Sequence, residues 1–168
     1  MMRKGLILGT AALLALSGCE GRDAARRPDA PSAKPPETAF RHQLGADVSG
    51  EYRAVDGQGP VAALFVGQEA AFAAWEAGDR TAPPLILTLS GPEGEMQVAP
   101  TRYDFTDDGF RFSGDAPNGD KVDLRGRLDQ GALATARRNL GDTTPVVTGV
   151  MTSNGRSTPF SLSRWGGD

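Results

Sequence analysis

The chain has 168 residues, of which 23% are charged, a formal net charge of −3 and one cysteine. Loss of residues 1–18 would remove Arg3 and Lys4 and move the charge to −5, and the bases and acids of 20–38 cancel, so the acidic excess falls on residues 39–168. That balance excludes a general nucleic-acid binder, which needs a basic face to displace counterions, and a single cysteine leaves folding to packing and backbone hydrogen bonds rather than to an internal disulfide.

In chain order, Met1 to Lys4 provide a short positive start, and Gly5 to Leu16 are uncharged and apolar apart from Thr10. Twelve helical residues rise about 18 Å, well short of a hydrocarbon core of about 30 Å, so the stretch reads as an export signal rather than a span. It ends in Leu16-Ser17-Gly18-Cys19, where two small residues leave room around the thiol. These four residues resemble the lipobox of bacterial lipoproteins at each of its positions. The resemblance implies a type II signal peptide over 1–18, a diacylglyceryl group on the Cys19 sulfur, cleavage before Cys19 and acylation of the new amine. Several acyl chains would hold the protein on a membrane without further help. In that family an Asp after the cysteine commonly retains the protein in the inner membrane. Glu20 departs from that signal, which favours outer-membrane sorting and a domain facing the periplasm.

Residues 19–38 hold Pro28, Pro31, Pro35 and Pro36, charges of both signs and no apolar period. Such a segment cannot bury enough surface to offset its ordering, and it is expected to be a disordered tether reaching on the order of 60 Å.

Residues 39–168 form the expected globular domain. Val48 to Val55, Val61 to Val66 and Leu85 to Ser90 read as strands. Gln68 to Ala77, rich in Ala and Glu with Ala71, Phe72 and Trp75 on one stripe and Gly78 as its stop, reads as a helix. From Arg102 onward apolar and polar residues alternate around Tyr103, Phe105, Phe110, Phe112, Val122, Leu124, Leu128, Phe160 and Leu162, the period of half-buried strands. Asp108-Gly109, Asn118-Gly119, Gln130-Gly131 and Asn154-Gly155 read as the tight turns between them. Ala132 to Arg138 fits a helix by Leu133, Ala136 and Leu140, but the preceding turn signal assigns it to a returning strand. The sum is an all-β, mainly antiparallel fold, a small up-and-down β-barrel or a sandwich, with one short helix. Gly50-Glu51-Tyr52 on the first strand and Arg164-Trp165 on the last are similar to the lipocalin arrangement, in which a Gly-x-Trp meets an Arg from the barrel end. Here Tyr52 stands in place of the Trp. The resemblance implies a barrel able to hold a small apolar ligand.

Candidate chemistry is sparse. His42, the one histidine, reads as a surface residue near the tether, without an assignable nucleophile or orienting partner. Asp104, Asp107, Asp108, Gly109 and Asp115 match part of a calcium loop, but their flanks read as strands and favour a hairpin with acidic tips. Glu93 and Glu95 read as solvated acids beside Gly94, and Trp75, Phe72 and Phe65 as core. No nucleophile elbow, phosphate loop or dinucleotide fingerprint occurs. The expectation is a non-catalytic, lipid-anchored envelope protein, attached at Cys19, with no cofactor and no metal, that binds a protein, an envelope component or a small apolar ligand. The alternative is an envelope hydrolase with an acid-only site.

Overall fold

The computed structural model describes residues 39–55, 57 and 59–167. Cys19, the signal segment and the tether lie outside the described residues, which all belong to one unit, Pro36–Asp168.

The strands are β1 (Phe40–Gln43), β2 (Gly50–Ala54), β3 (Val61–Val66), β4 (Leu85–Gly91), β5 (Gly94–Val98), β6 (Pro100–Thr106), β7 (Gly109–Asp115), β8 (Lys121–Leu128), β9 (Pro145–Ser153) and β10 (Arg156–Arg164). Helix α1 (Glu69–Glu76) lies between β3 and β4, and α2 (Gln130–Arg138) between β8 and β9. The strands make one ten-stranded sheet in the order β1-β6-β7-β8-β9-β10-β2-β3-β4-β5. The all-β, mainly antiparallel expectation holds. The meander from β6 to β10 turns back through β10 onto β2, so the sheet curls into a half-barrel rather than separating into two layers.

Three features differ from the sequence reading. A small barrel would close its own edges, yet β1 and β5 remain as the two ends of the sheet. The reason lies in β1, which runs parallel to β6 with Phe40 opposite Tyr103 and His42 opposite Phe105. It thereby takes the edge of β6 that β5 would need for closure. Next, Ala132 to Arg138 is helix, not strand. The Asp129 carboxylate accepts the Ala132 N–H at 2.9 Å, Leu133 and Ala136 form the buried stripe, and Arg137 and Arg138 sit in the last turn. That is the charge order a helix dipole favours. Gln130-Gly131 accordingly opens α2 instead of making a hairpin. Finally, Phe65 is 42% exposed on the outer side of β3, while Phe72 and Trp75 are buried.

Helix α1 is held by aromatic contacts. The Phe72 ring lies 5.5 Å from Tyr103 and 5.4 Å from Phe105, both on β6. The Trp75 ring meets Phe40 of β1 edge-on at 6.0 Å.

The curl itself comes from one cross-strand row. Phe105 pairs with Phe110, Phe110 with Gly126, Gly126 with Gly149 and Gly149 with Phe160. All five point to the inner face. A Cβ at Gly126 would stand 2.4 Å from the Phe110 ring, and one at Gly149 would stand 2.2 Å from the Arg125 carbonyl and 2.8 Å from the Phe160 ring. The two glycines let β8 and β9 close up, and the two rings fill the space over them. Phe110 also stacks on Phe105 at 5.2 Å. At the opposite turn Asn154 and Gly155 both take positive φ, 52° and 73°, which fits the twist of a two-residue hairpin.

This packing generates a cycle. Gly126→Ala is expected to destabilise the chain by about 1–3 kcal/mol through overpacking, and Phe110→Ala by about 3–5 kcal/mol. In the double variant the new methyl group occupies the space the ring has left, so urea denaturation is expected to give a loss clearly smaller than the two single losses together. Full additivity would mean that the ring and the glycine do not share one space.

Candidate functional site

The inner face is committed to the core, and the chemistry-bearing residues therefore lie on the outer face and at one end of the sheet. Alternation fixes the outer set. Across β1, β6, β7, β8 and β9 one outer row reads Arg41, Asp104, Arg111, Arg125 and Val150, each opposite the next. A second row reads Arg102, Ser113, Asp123 and Thr152, and Arg127 stands between Gly109 and Thr148.

The acids on this face are occupied. Asp104 receives both arms of the Arg41 guanidinium at 3.0 to 3.2 Å, and the hydrogen bond and charge of that carboxylate raise the Arg41 pKa further above its ordinary value. Asp115 pairs with Lys121 at 3.5 Å. Asp123 accepts a hydrogen bond from the Ser113 hydroxyl. Arg125 is left between Arg111 on one side and Val150 on the other. Side chains directly opposite in an antiparallel pair have Cβ atoms about 5 Å apart, and like charges placed there repel. Among the described residues, Arg111, Arg125 and Arg127 have no ion pair or side-chain hydrogen bond that offsets this. A shallow depression of about 600 Å³ opens between Arg102, Arg111, Arg125, Asp123, Thr152 and Ser157. It offers guanidinium groups, hydroxyls and one carboxylate.

A second cluster ties α1 to the sheet. Glu76 of α1 meets His42 Nδ1 at 2.9 Å, and its same oxygen accepts the Tyr103 hydroxyl at 3.2 Å. Burial and then the Glu76 charge push the Tyr103 hydroxyl well above the ordinary tyrosine range. His42 is thus half-buried and does have an orienting carboxylate, contrary to the surface placement read from sequence. A histidine held by a carboxylate is half of a general-base arrangement, which also needs a nucleophile in reach. The contacts of this cluster join β1, α1 and β6. Beside them the Arg80 guanidinium donates to the Trp75 carbonyl and lies 4.5 Å from the Trp75 ring and 5.0 Å from that of Phe40.

The acids of the calcium-loop pattern are dispersed. Asp104 serves Arg41, while Asp107 accepts the backbone N–H groups of Gly45 and Ala46 at 3.0 to 3.1 Å. The hairpin expected between these flanks is present as β6 and β7. Glu93 is in the turn between β4 and β5, Glu95 lies on β5 itself, and both are exposed. The residues of the lipocalin resemblance do meet. Arg164 stands opposite Tyr52, its Nε 3.6 Å from where a Gly50 Cβ would be. Tyr52 donates to the Val48 carbonyl at 2.6 Å, and burial pushes its hydroxyl pKa up to about 12. Trp165 instead turns outward, with the Arg53 guanidinium 3.8 Å over its ring.

The arginine face escapes sequence reading because its content is register. Arg111, Arg125 and Arg127 read as the polar half of an alternating pattern, and only the pairing of β7 with β8 sets Arg111 against Arg125. The available signal was the Arg-Gly-Arg run at 125–127 on a strand. No family model, curated protein or solved structure matches the chain.

Opposed arginines predict a gain from charge reversal. Cross-strand pairs of opposite charge contribute roughly 0.2–1 kcal/mol. Arg125→Glu is therefore expected to raise the midpoint of thermal unfolding slightly at low salt, with the gain shrinking as salt is added. A fall in the midpoint would show that Arg125 is not repelled in place.

Proposed function

We propose that this chain is a lipid-anchored protein of the bacterial envelope, held through Cys19 and facing the periplasm, that binds a partner through the outer face of β6 to β9. The anchor rests on Leu16-Ser17-Gly18-Cys19 behind a short apolar segment. The binding face rests on one observation above the others: Arg125 faces Arg111 directly across strands, and among the described residues neither has an ion pair, the neighbouring Asp104 and Asp123 being bonded to Arg41 and Ser113. A fold that keeps such a pair on its most regular strands gains from an external anion.

The interior supports a surface partner over a small apolar ligand. Tyr52, Tyr103, Phe72, Phe105 and Phe112 fill it, each essentially inaccessible to solvent, and the inward glycines are covered by neighbouring rings. Bulky side chains stand where a ligand-carrying barrel would hold its guest.

The anchor is tested by fractionation of a bacterial host. The wild-type chain is expected in the membrane pellet with an intact mass that includes fatty acids on Cys19, and Cys19→Ala in the soluble fraction. A variant that still sediments in full would remove the anchor from the proposal. The face is tested separately by a photo-crosslinking residue at Thr152. Adducts in intact cells are expected, and they are expected to disappear when Arg111 and Arg125 are both changed to Glu. Adducts indifferent to that change would place the partner elsewhere.

A further inference from the structure

We infer that the occupant of the arginine face is an acidic glycan, a sugar polymer bearing carboxylate or phosphate groups; this rests on the outer face being the binding surface. Four features of the face carry it. Its free charge is arginine, whose planar fork matches carboxylate and phosphate with paired hydrogen bonds. The arginines grow from a fixed backbone grid, with the Cβ atoms of Arg111 and Arg125 about 5 Å apart across strands and those of Arg125 and Arg127 about 7 Å apart along one. The depression mixes apolar and polar groups, as sugar sites do: Val150 lies beside the hydroxyls of Ser113, Thr152 and Ser157 and the Asp123 carboxylate, with Ser113 bonded to Asp123 and Thr152 to Ser157. These groups can exchange hydrogen bonds with sugar hydroxyls, and Asp123 is then an acceptor rather than an obstacle. The volume, about 600 Å³, is that of a pocket for a molecule of a few rings.

The other polyanions fit less well. Single-stranded nucleic acid is bound by basic grooves that also stack bases on aromatic rings, and the depression presents none on its outer rows. Phe112, which touches it, points into the core and is buried. A protein that lies on an anionic membrane inserts an apolar face beside its basic residues, whereas the one exposed large apolar side chain on this face is Val150, 43% accessible.

The full chain in detergent is titrated with polygalacturonate and with a phosphomannan, and each is compared with its neutral counterpart, methyl-esterified pectin and plain mannan. At least one acidic polymer is expected to bind about tenfold or more tightly than its neutral form, and to weaken as salt rises. Arg125→Gln and Arg127→Gln are each expected to lower that affinity about tenfold with unchanged far-UV circular dichroism. Equal affinity for acidic and neutral polymers, or affinity unmoved by both substitutions, overturns the inference. So does tighter binding of a twenty-nucleotide poly-dT, or a preference for phosphatidylglycerol over phosphatidylcholine vesicles larger than the preference for acidic over neutral glycan. Arginine-dependent adducts at Thr152 in cells, alongside failure of both acidic polymers, would overturn the glycan and leave the surface reading standing.

Discussion

The contact of Phe110 and Phe160 with the bare backbone at Gly126 and Gly149 is the constraint on which the rest of this domain depends. A flat ten-stranded sheet would have one apolar face too broad for two short helices to cover. By removing two side chains from the middle of the inner row, the sequence lets β8 and β9 draw together until the Arg125 carbonyl oxygen lies 2.2 Å from where a Gly149 Cβ would be. The sheet then bends over its own aromatic residues and buries them. Every inner residue of β6 to β10 inherits its neighbours from that bend.

The same bend decides where function can reside. An inner face filled by tyrosine and phenylalanine is closed to guests, and the helical end is occupied by its own polar contacts. There Asp107 caps the Gly45 and Ala46 amides, Glu76 holds His42 and Tyr103, and Asp47 pairs with Arg137 at 3.0 Å. Hydrogen bonds from Ser49, more than Arg137, draw the Asp47 carboxyl below its usual range. Glu76 thus fastens α1 to β1 and β6, Arg137 of α2 reaches the loop after β1, and Asp107 holds that same loop. The outer face of β6 to β9 differs in that its polar groups are not all used internally.

Local chemistry made much of the architecture legible. Alternation around Phe110, Phe112, Val122 and Leu124 announces strands, Asn154-Gly155 announces a hairpin, and Phe72 with Trp75 marks the buried stripe of α1. What stayed hidden depends on distant partners. The four residues of β1 carry too little pattern to reveal a parallel pairing with β6, some sixty residues on. Helix α2 was masked by a Gln-Gly pair that suits a turn as well as a helix start, and Asp129 as its cap was the overlooked signal. His42 and Glu76 lie far apart in sequence, so their contact follows only from the docking of α1. The opposition of Arg111 and Arg125 is a fact of register, invisible in either strand alone.

Register also explains how so exposed a feature can be held in place. Because side chains alternate, a slip of β8 by one residue would turn Arg125 and Arg127 inward and throw Val122 and Leu124 into solvent. The penalty of burying unpaired charge far exceeds the repulsion between two exposed guanidinium groups. The repulsion therefore cannot relieve itself by shifting the strand, and the aromatic core fixes the spacing of the arginines. Side-chain swinging can lessen the strain, but the Cβ grid beneath does not move. Phe110 and Phe160, packed over their glycines, thus also set the spacing of the arginines on the opposite face.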